Sequence, residues 1–213
     1  MDTDEHPPQN EIATMLDEAM LAADPAEQFS AWLADAVAAG LPEPNAMVLS
    51  TVSAAGWPRS RSVLLKEHGP AGFVFYTNRT SAKAQDLAAN PRACVLFPWY
   101  ALHRQVIVQG PVTALSQQES EPYFHSRPHG SQLGAWASRQ STVIASRAVL
   151  EDAYARHEQQ WPEGTTVPMP DFWGGYRLEH EVVEFWQGRA SRLHDRLRYQ
   201  REGARWVVQR LAP

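Results

Sequence analysis

Between positions 24 and 40, apolar residues recur at Phe29, Trp32, Leu33, Ala36 and Val37, the three-and-four spacing of one helix face. Asp24 is placed to cap this helix, Pro25 falls in its first turn, and Gly40 and Pro42 stop it. From position 45 the pattern changes to short runs rich in β-branched and aromatic residues, over 45–53, 58–66, 72–77, 92–100 and 104–115. "AAG" and "HGPAG" read as hairpin turns between them. Connections this short favour antiparallel pairing. Pro111 interrupts the last run and predicts an edge or a bulge there. "TSAKAQDLAANP" predicts a helix capped by Thr80 or Ser81. Further helices are predicted over 117–125, 131–137 and 146–160, followed by a loop, "WPEGTTVPMPDFWGG". "YRLEHEVVEFWQG" and "DRLRYQREGARWVVQRL" return to strands, with "REG" as a turn. The expected architecture is mainly β: one antiparallel barrel with flanking helices, formed by residues 24–213 as a single domain.

Composition sharpens the picture at the ends. No Lys or Arg precedes Arg59, and the opening "MDTDEHPPQNE" is acidic and proline-rich. Residues 1–23 are therefore expected to form a flexible arm when no ligand is bound. This start lacks the basic and apolar segments of a signal peptide, and no run reaches the length of a membrane span. The expected setting is cytoplasmic. Cys94, the only cysteine, lies in the apolar "ACVLF" and reads as core packing.

Net charge is -5, yet Arg189, Arg192, Arg196 and Arg198 crowd around His194, with Trp186 just before. A nucleic-acid binder carries a broader basic footprint, so a small anion is the better ligand for this cluster. Arg59 and Arg61 share one side of a regular strand. Lys66 falls on the other side unless the strand bulges or ends. These cations suit two different anions or the two ends of one. Lys83 lies at a helix start, where free N–H groups favour a phosphate. In "YFHSRPHGSQLGAWASRQS", Tyr123 and Arg127 are spaced for one helix face, and Ser131 is expected to cap the helix after the Pro128–Gly130 break. Together they suit a phosphate monoester. His125 and His129 lack the further ligands of a metal site. No G-x-S-x-G, G-x-G-x-x-G or Walker loop is present.

The residues "NAMVLSTV", "RSVLLK", "FVFYTN", "FPWYALHRQVIVQG", "YFHSRPHGSQLGAWAS", "FWGGYR" and "VEFWQGRASRLHDRLRY", with the ending "RLAP", run in order from Asn45 to Pro213. In this the chain resembles the pyridoxamine 5'-phosphate oxidase family. The resemblance implies a homodimer of split β-barrels with FMN at the subunit interface. It implies oxidation of pyridoxamine or pyridoxine 5'-phosphate to pyridoxal 5'-phosphate, with O2 as acceptor and H2O2 as product. By motif, FMN would be held by Arg61, Ser62, Val63, Leu64, Leu65 and Lys66. Tyr76, Thr77, Lys83, Gln105, Gln140, Ser141, Trp186 and Arg196 would complete its site. Lys66, Tyr123, Arg127 and Ser131 would hold the substrate phosphate. Arg192, Leu193 and His194 would cover the substrate ring, with Arg192 and His194 as catalytic residues. One departure stands out: "SAK" carries Ala82 where many family members have an arginine on the FMN phosphate.

The chemistry such a family performs needs two rings held in contact, and a phosphate handle on each molecule fixes both from a distance. Two other readings are a related split-barrel flavin oxidase, as in phenazine pathways, and a non-catalytic FMN or pyridoxal-phosphate binding protein. "YFHSR" with "RLHDR" argues against the first, and Arg192 with His194 against the second.

Overall fold

The computed structural model describes residues 15–213. Helix α1 (Pro25–Ala38) begins as its sequence dictates: the Asp24 carboxylate accepts from the Ala26 N–H at 2.7 Å, and Pro25 takes the first position. Its buried face, with Phe29, Trp32 and Ala36, packs into the main core. Strands β1 (Ala46–Val52) and β2 (Pro58–Leu64) form a hairpin. The short β3 (Glu67–Gly69) pairs with β4 (Gly72–Asn78). Helix α2 (Ala82–Ala89), with Ser81 at its N-cap, leads to β5 (Arg92–Trp99) and the long β6 (Arg104–Ala114). Helices α3 (Gln117–Ser126), α4 (His129–Ala137) and α5 (Arg147–Gln160) precede β7 (Trp173–Leu178), β8 (Val182–Gln187), β9 (Asp195–Glu202) and β10 (Arg205–Arg210).

All the strand pairs are antiparallel, in the order β10-β9-β8-β6-β5-β1-β2, with β7 joining β6 to β4. The sheet curls into a split barrel. Its split is the seam where β2 and β4 share no ladder. Pro111 is neither a free edge nor a simple bulge. It pairs with Arg92 of β5, while on its other side β6 leaves β8 after Gln109 and takes up β7 at Val112. A Cβ on Gly110 would strike the Glu179 carbonyl, so glycine makes this corner possible. The loop predicted through "WGG" ends earlier than expected, because β7 starts at Trp173. Gly174 and Gly175 hide its strand pattern. They are glycines because Arg79 and the Leu115 and Tyr76 side chains lie against them.

Inside the barrel, Phe29, Phe73, Phe75, Phe97, Phe185 and Tyr199 are fully buried. Outside, the alternation that buries Val95 and Phe97 turns half-buried residues outward. One such row runs Val48, Leu96, Ile107, Glu184, Arg198 across five strands, with Glu184 the buried member. No helix among the described residues is long and apolar enough to cross a membrane.

The arm expected over residues 1–23 falls in part outside the described residues, through position 14. The rest is attached: Leu16 is buried in the core, and Ala22 O accepts from Tyr199 Oη at 2.7 Å.

His180 sits between β7 and β8, stacked on Trp206 at 5.3 Å, with its Nδ1 buried and unpartnered. Burial holds its pKa below the ordinary 6.5, against the pull of Asp24. As pH falls, the unfolded chain takes up this proton first, so stability is lost below about pH 6.5. His180→Phe should reduce the fall in Tm between pH 7 and pH 5.5. His68, depressed in the same direction by burial, leaves part of the slope in place. An identical fall in the variant would assign the acid sensitivity elsewhere.

Candidate active site

The seam between β2 and β4 opens into a cavity of about 710 Å³. Strand β2 supplies Arg61, Ser62, Val63 and Leu64, and Lys66 follows them. Because β2 ends at Leu64, Lys66 escapes the strand alternation and faces the same space as Arg61. Strand β4 supplies Tyr76 and Thr77, and α2 supplies Ala82 and Lys83. Tyr123, Arg127 and Ser131 come from the α3–α4 region, Gln140 and Ser141 from the loop after it, and Trp173 from β7.

Two groups of cations face this cavity. In the first, Lys83 is 7% exposed and donates to Gln140 Oε1 at 2.7 Å, Thr77 Oγ1 at 3.0 Å and Ser81 Oγ at 3.3 Å. It has no carboxylate partner among the described residues. Burial, with the Arg61 charge second, pulls its pKa down to about 8. Arg61 donates to Leu49 O at 3.0 Å and Thr51 Oγ1 at 2.8 Å, and its Nη2 lies 3.8 Å from Asp86. Asp86 also binds Arg59 at 3.1 Å, as strand spacing of the two arginines expects. The buried Asp86 carboxylate is shared by Arg59 and Arg61, while Lys83 feels the Arg61 charge and has no carboxylate of its own among the described residues, so the group carries an excess of positive charge.

In the second group, Arg127 donates through Nη2 to Ser131 O at 2.7 Å. Its Nη1 is buried with no hydrogen-bond partner. Its guanidinium lies 5.0 Å from the Trp173 ring and 5.6 Å from Phe124, which hold it in place. Burial lowers its pKa, opposed by Tyr123. Lys66 Nζ stands 5.5 Å over the Tyr123 ring, which stacks at 4.2 Å on Tyr76. Tyr76 donates to Glu67 at 3.2 Å and is pushed up to about 12, mainly by burial.

Two local expectations fail in detail. Arg127 is the C-cap of α3 with extended backbone, so it does not share a helix face with Tyr123. Ser131 does not cap α4: Pro128 is at the N-cap, and Ser131 is the third helical residue, with its N–H on Pro128 O. Pro128 at the cap draws the helix start two positions earlier than predicted. Both side chains still reach the cavity. Trp173 was missed, because its position next to two glycines read as loop.

The remaining expected residues lie elsewhere. Leu65 is buried in the core. Gln105, Trp186 and Arg196 form one cross-strand row on β6, β8 and β9, on the outer face of the sheet. Arg196 donates to Glu184 at 2.7 Å and to Ala212 O at 3.0 Å. Arg192, Leu193 and His194 follow in the β8–β9 connection, with His194 4.6 Å from Trp186. None of these lines the cavity of the same chain.

Residues 33–161 match the family model described as pyridoxamine 5'-phosphate oxidase. Residues 173–213 match the pyridoxine 5'-phosphate oxidase C-terminal dimerisation region. The chain belongs to the pyridoxamine 5'-phosphate oxidase family. It is 55% identical over 199 residues to a pyridoxine/pyridoxamine 5'-phosphate oxidase of Salinispora arenicola, covering 93% of this chain and 90% of that one. The same description holds for a Thermobifida fusca relative, 54% identical, with 93% and 92% covered. Among solved structures, PhzG from Burkholderia lata 383, in complex with tetrahydrophenazine-1-carboxylic acid, superposes with TM-score 0.88 at 29% identity, covering 95% of this chain and 100% of that one.

Proposed function

We propose that the protein is an FMN-dependent oxidase that converts pyridoxamine 5'-phosphate and pyridoxine 5'-phosphate to pyridoxal 5'-phosphate. The observation that carries this reading is the pair of cation groups in one cavity, one around Lys83 and one around Arg127. A buried lysine without a carboxylate and a buried guanidinium nitrogen without an acceptor each call for an anion. Two phosphates, one on FMN and one on the substrate, meet that demand. Ala82 removes a guanidinium from the FMN side, but Arg61, Lys83 and the α2 N-terminus remain there to receive a phosphate.

FMN, when bound, would supply the two-electron acceptor, with O2 as the final oxidant. For the amine the balance is amine, O2 and water to aldehyde, NH3 and H2O2; for the alcohol it is alcohol and O2 to aldehyde and H2O2. The chain's own residues bind and orient. Arg61 and Lys83 hold the cofactor phosphate. Arg127, Lys66, Tyr123 and Ser131 hold the substrate phosphate. The Tyr76–Tyr123–Trp173 stack gives the cavity a rigid apolar wall that excludes water. Arg192 over the substrate ring stabilises negative charge as it develops. His194 holds the C4' amine or hydroxyl.

Arg192 and His194 reach the cavity from a partner subunit. His194 packs against Trp186 on the same outer face as the half-buried Val48, Leu96 and Ile107, with Arg192 two residues before it, and two-fold pairing of that face would complete each cavity in trans. A related flavin oxidase acting on an unphosphorylated ring would leave the Arg127 Nη1 donor without a purpose. Co-expressed Arg127→Ala and Arg192→Ala chains test this arrangement. Each homodimer should be poorly active, while a mixed dimer keeps one intact site and about half the parental turnover. No recovery in purified mixed dimers would mean that both residues serve the same subunit's site.

A further inference from the structure

The β8–β9 connection has a strained shape. Ser191 and Arg192 sit at φ 57° and 59°, in the left-handed region that disfavours side chains. A loop keeps such a shape only where its surroundings over-determine it. Here the contacts converge on Asp195, the first residue of β9. Its Oδ1 accepts from Arg210 Nη1 at 2.9 Å, and its Oδ2 lies 3.4 Å from Arg189 Nε. The Arg189 backbone N–H in turn donates to His194 Nδ1 at 3.0 Å. With Nδ1 an acceptor, the hydrogen of the neutral imidazole is on Nε2.

Arg210 is itself locked from the amino-terminal end of the chain. Its Nε and Nη2 grip the Glu18 carboxylate at 2.9 and 2.7 Å, and Nη2 also reaches Leu16 O at 3.3 Å. Leu16 is buried in the main core, so this end is fixed. Isolated exposed ion pairs contribute little. This one is bidentate and runs inward to Asp195 and Arg189, whose side chains are only 16% and 20% exposed.

We propose that Asp195, braced by Arg210 and Glu18, is the positioning residue that holds the Arg192–His194 loop and fixes His194 as its Nε2–H tautomer. The consequence for catalysis rests on the assignment of Arg192 and His194 to the substrate ring. His194 then presents a hydrogen-bond donor, which suits a lone pair on the C4' substituent. The segment before α1 becomes part of the active-site support, although it lies far from the loop in sequence.

The test uses full-length parent, Asp195→Asn and Glu18→Gln, each with and without FMN. In the FMN-free proteins, 15N NMR of the histidine rings reads the tautomer, and hydrogen exchange reads the Arg189 amide. The parent should show the Nε2–H form. Asp195→Asn should mix the tautomers and raise exchange at Arg189 by about tenfold or more, as a local opening does. Glu18→Gln should move both readouts in the same direction by less. With FMN bound, kcat should fall while KM for the phosphate ester and FMN content stay near parental values. Parental tautomer and exchange in both variants would overturn the proposal. If Asp195→Asn does not fold, Glu18→Gln decides alone, and unchanged exchange in it overturns the brace. A parent with the expected tautomer and protection that oxidises neither phosphate ester would refute the ring assignment and leave the brace standing.

Discussion

Arg127→Ala should raise KM for pyridoxine 5'-phosphate steeply, with bound FMN nearly unchanged. Among the described residues, Arg127 is the one cation lining the cavity whose donor is buried and unpartnered. It is also the best held, with Trp173 and Phe124 against its guanidinium and Ser131 O on Nη2. Removing a desolvated charged partner from an anion costs roughly 2–5 kcal/mol, or about thirty-fold to a few thousand-fold in binding. If the phosphate also aligns the ring, part of that loss appears in kcat. Arg192→Ala should differ, lowering turnover even at saturating substrate. Steady-state oxygen uptake with FMN quantified separates the two. An unchanged KM in Arg127→Ala would remove this residue from the substrate site.

Lys83→Met should have the largest effect on the cofactor side. Lys83 is buried, hydrogen-bonded among the described residues only to neutral oxygens, and its pKa is down at about 8. A phosphate dianion favours its protonated form, so binding raises that pKa. Below pH 8 the free protein already carries the charge. Above it, FMN binding must take up a proton, and affinity should fall by up to about tenfold per pH unit. Methionine keeps the length and removes the charge. The variant should bind FMN about thirty-fold or more weakly at pH 7, by the same charge-removal estimate, and lose the alkaline dependence. Fluorescence titration of FMN at pH 7 and pH 9 measures both. A parental pH profile in Lys83→Met would show that another group titrates.

Much of this was legible in the chain. Period-two alternation marked β1, β5 and β6 because one face of each meets the barrel core. Asp24 and Pro25 marked α1 because a cap acts through neighbours in sequence. The two corners escaped. At Pro111 a strand changes partner, and at Gly174–Gly175 the side chains that would mark a strand are absent because neighbours fill their space. Motif, more than spacing, named the residues that line the seam cavity. Arg127 and Ser131 reach the cavity by a C-cap and a helix interior, where spacing alone suggested one helix face and a cap. The Glu18–Arg210–Asp195 contacts join distant ends of the chain, and no local pattern could announce them.

The most direct measurement is oxygen uptake by the FMN-loaded parent with pyridoxamine 5'-phosphate, pyridoxine 5'-phosphate and unphosphorylated pyridoxine in parallel. The proposed pair of phosphate sites in one cavity predicts oxidation of both esters, with H2O2 formed and kcat/KM falling by about two orders of magnitude or more for pyridoxine. Equal oxidation of pyridoxine and its phosphate, or FMN-loaded protein inert to both esters, would contradict it.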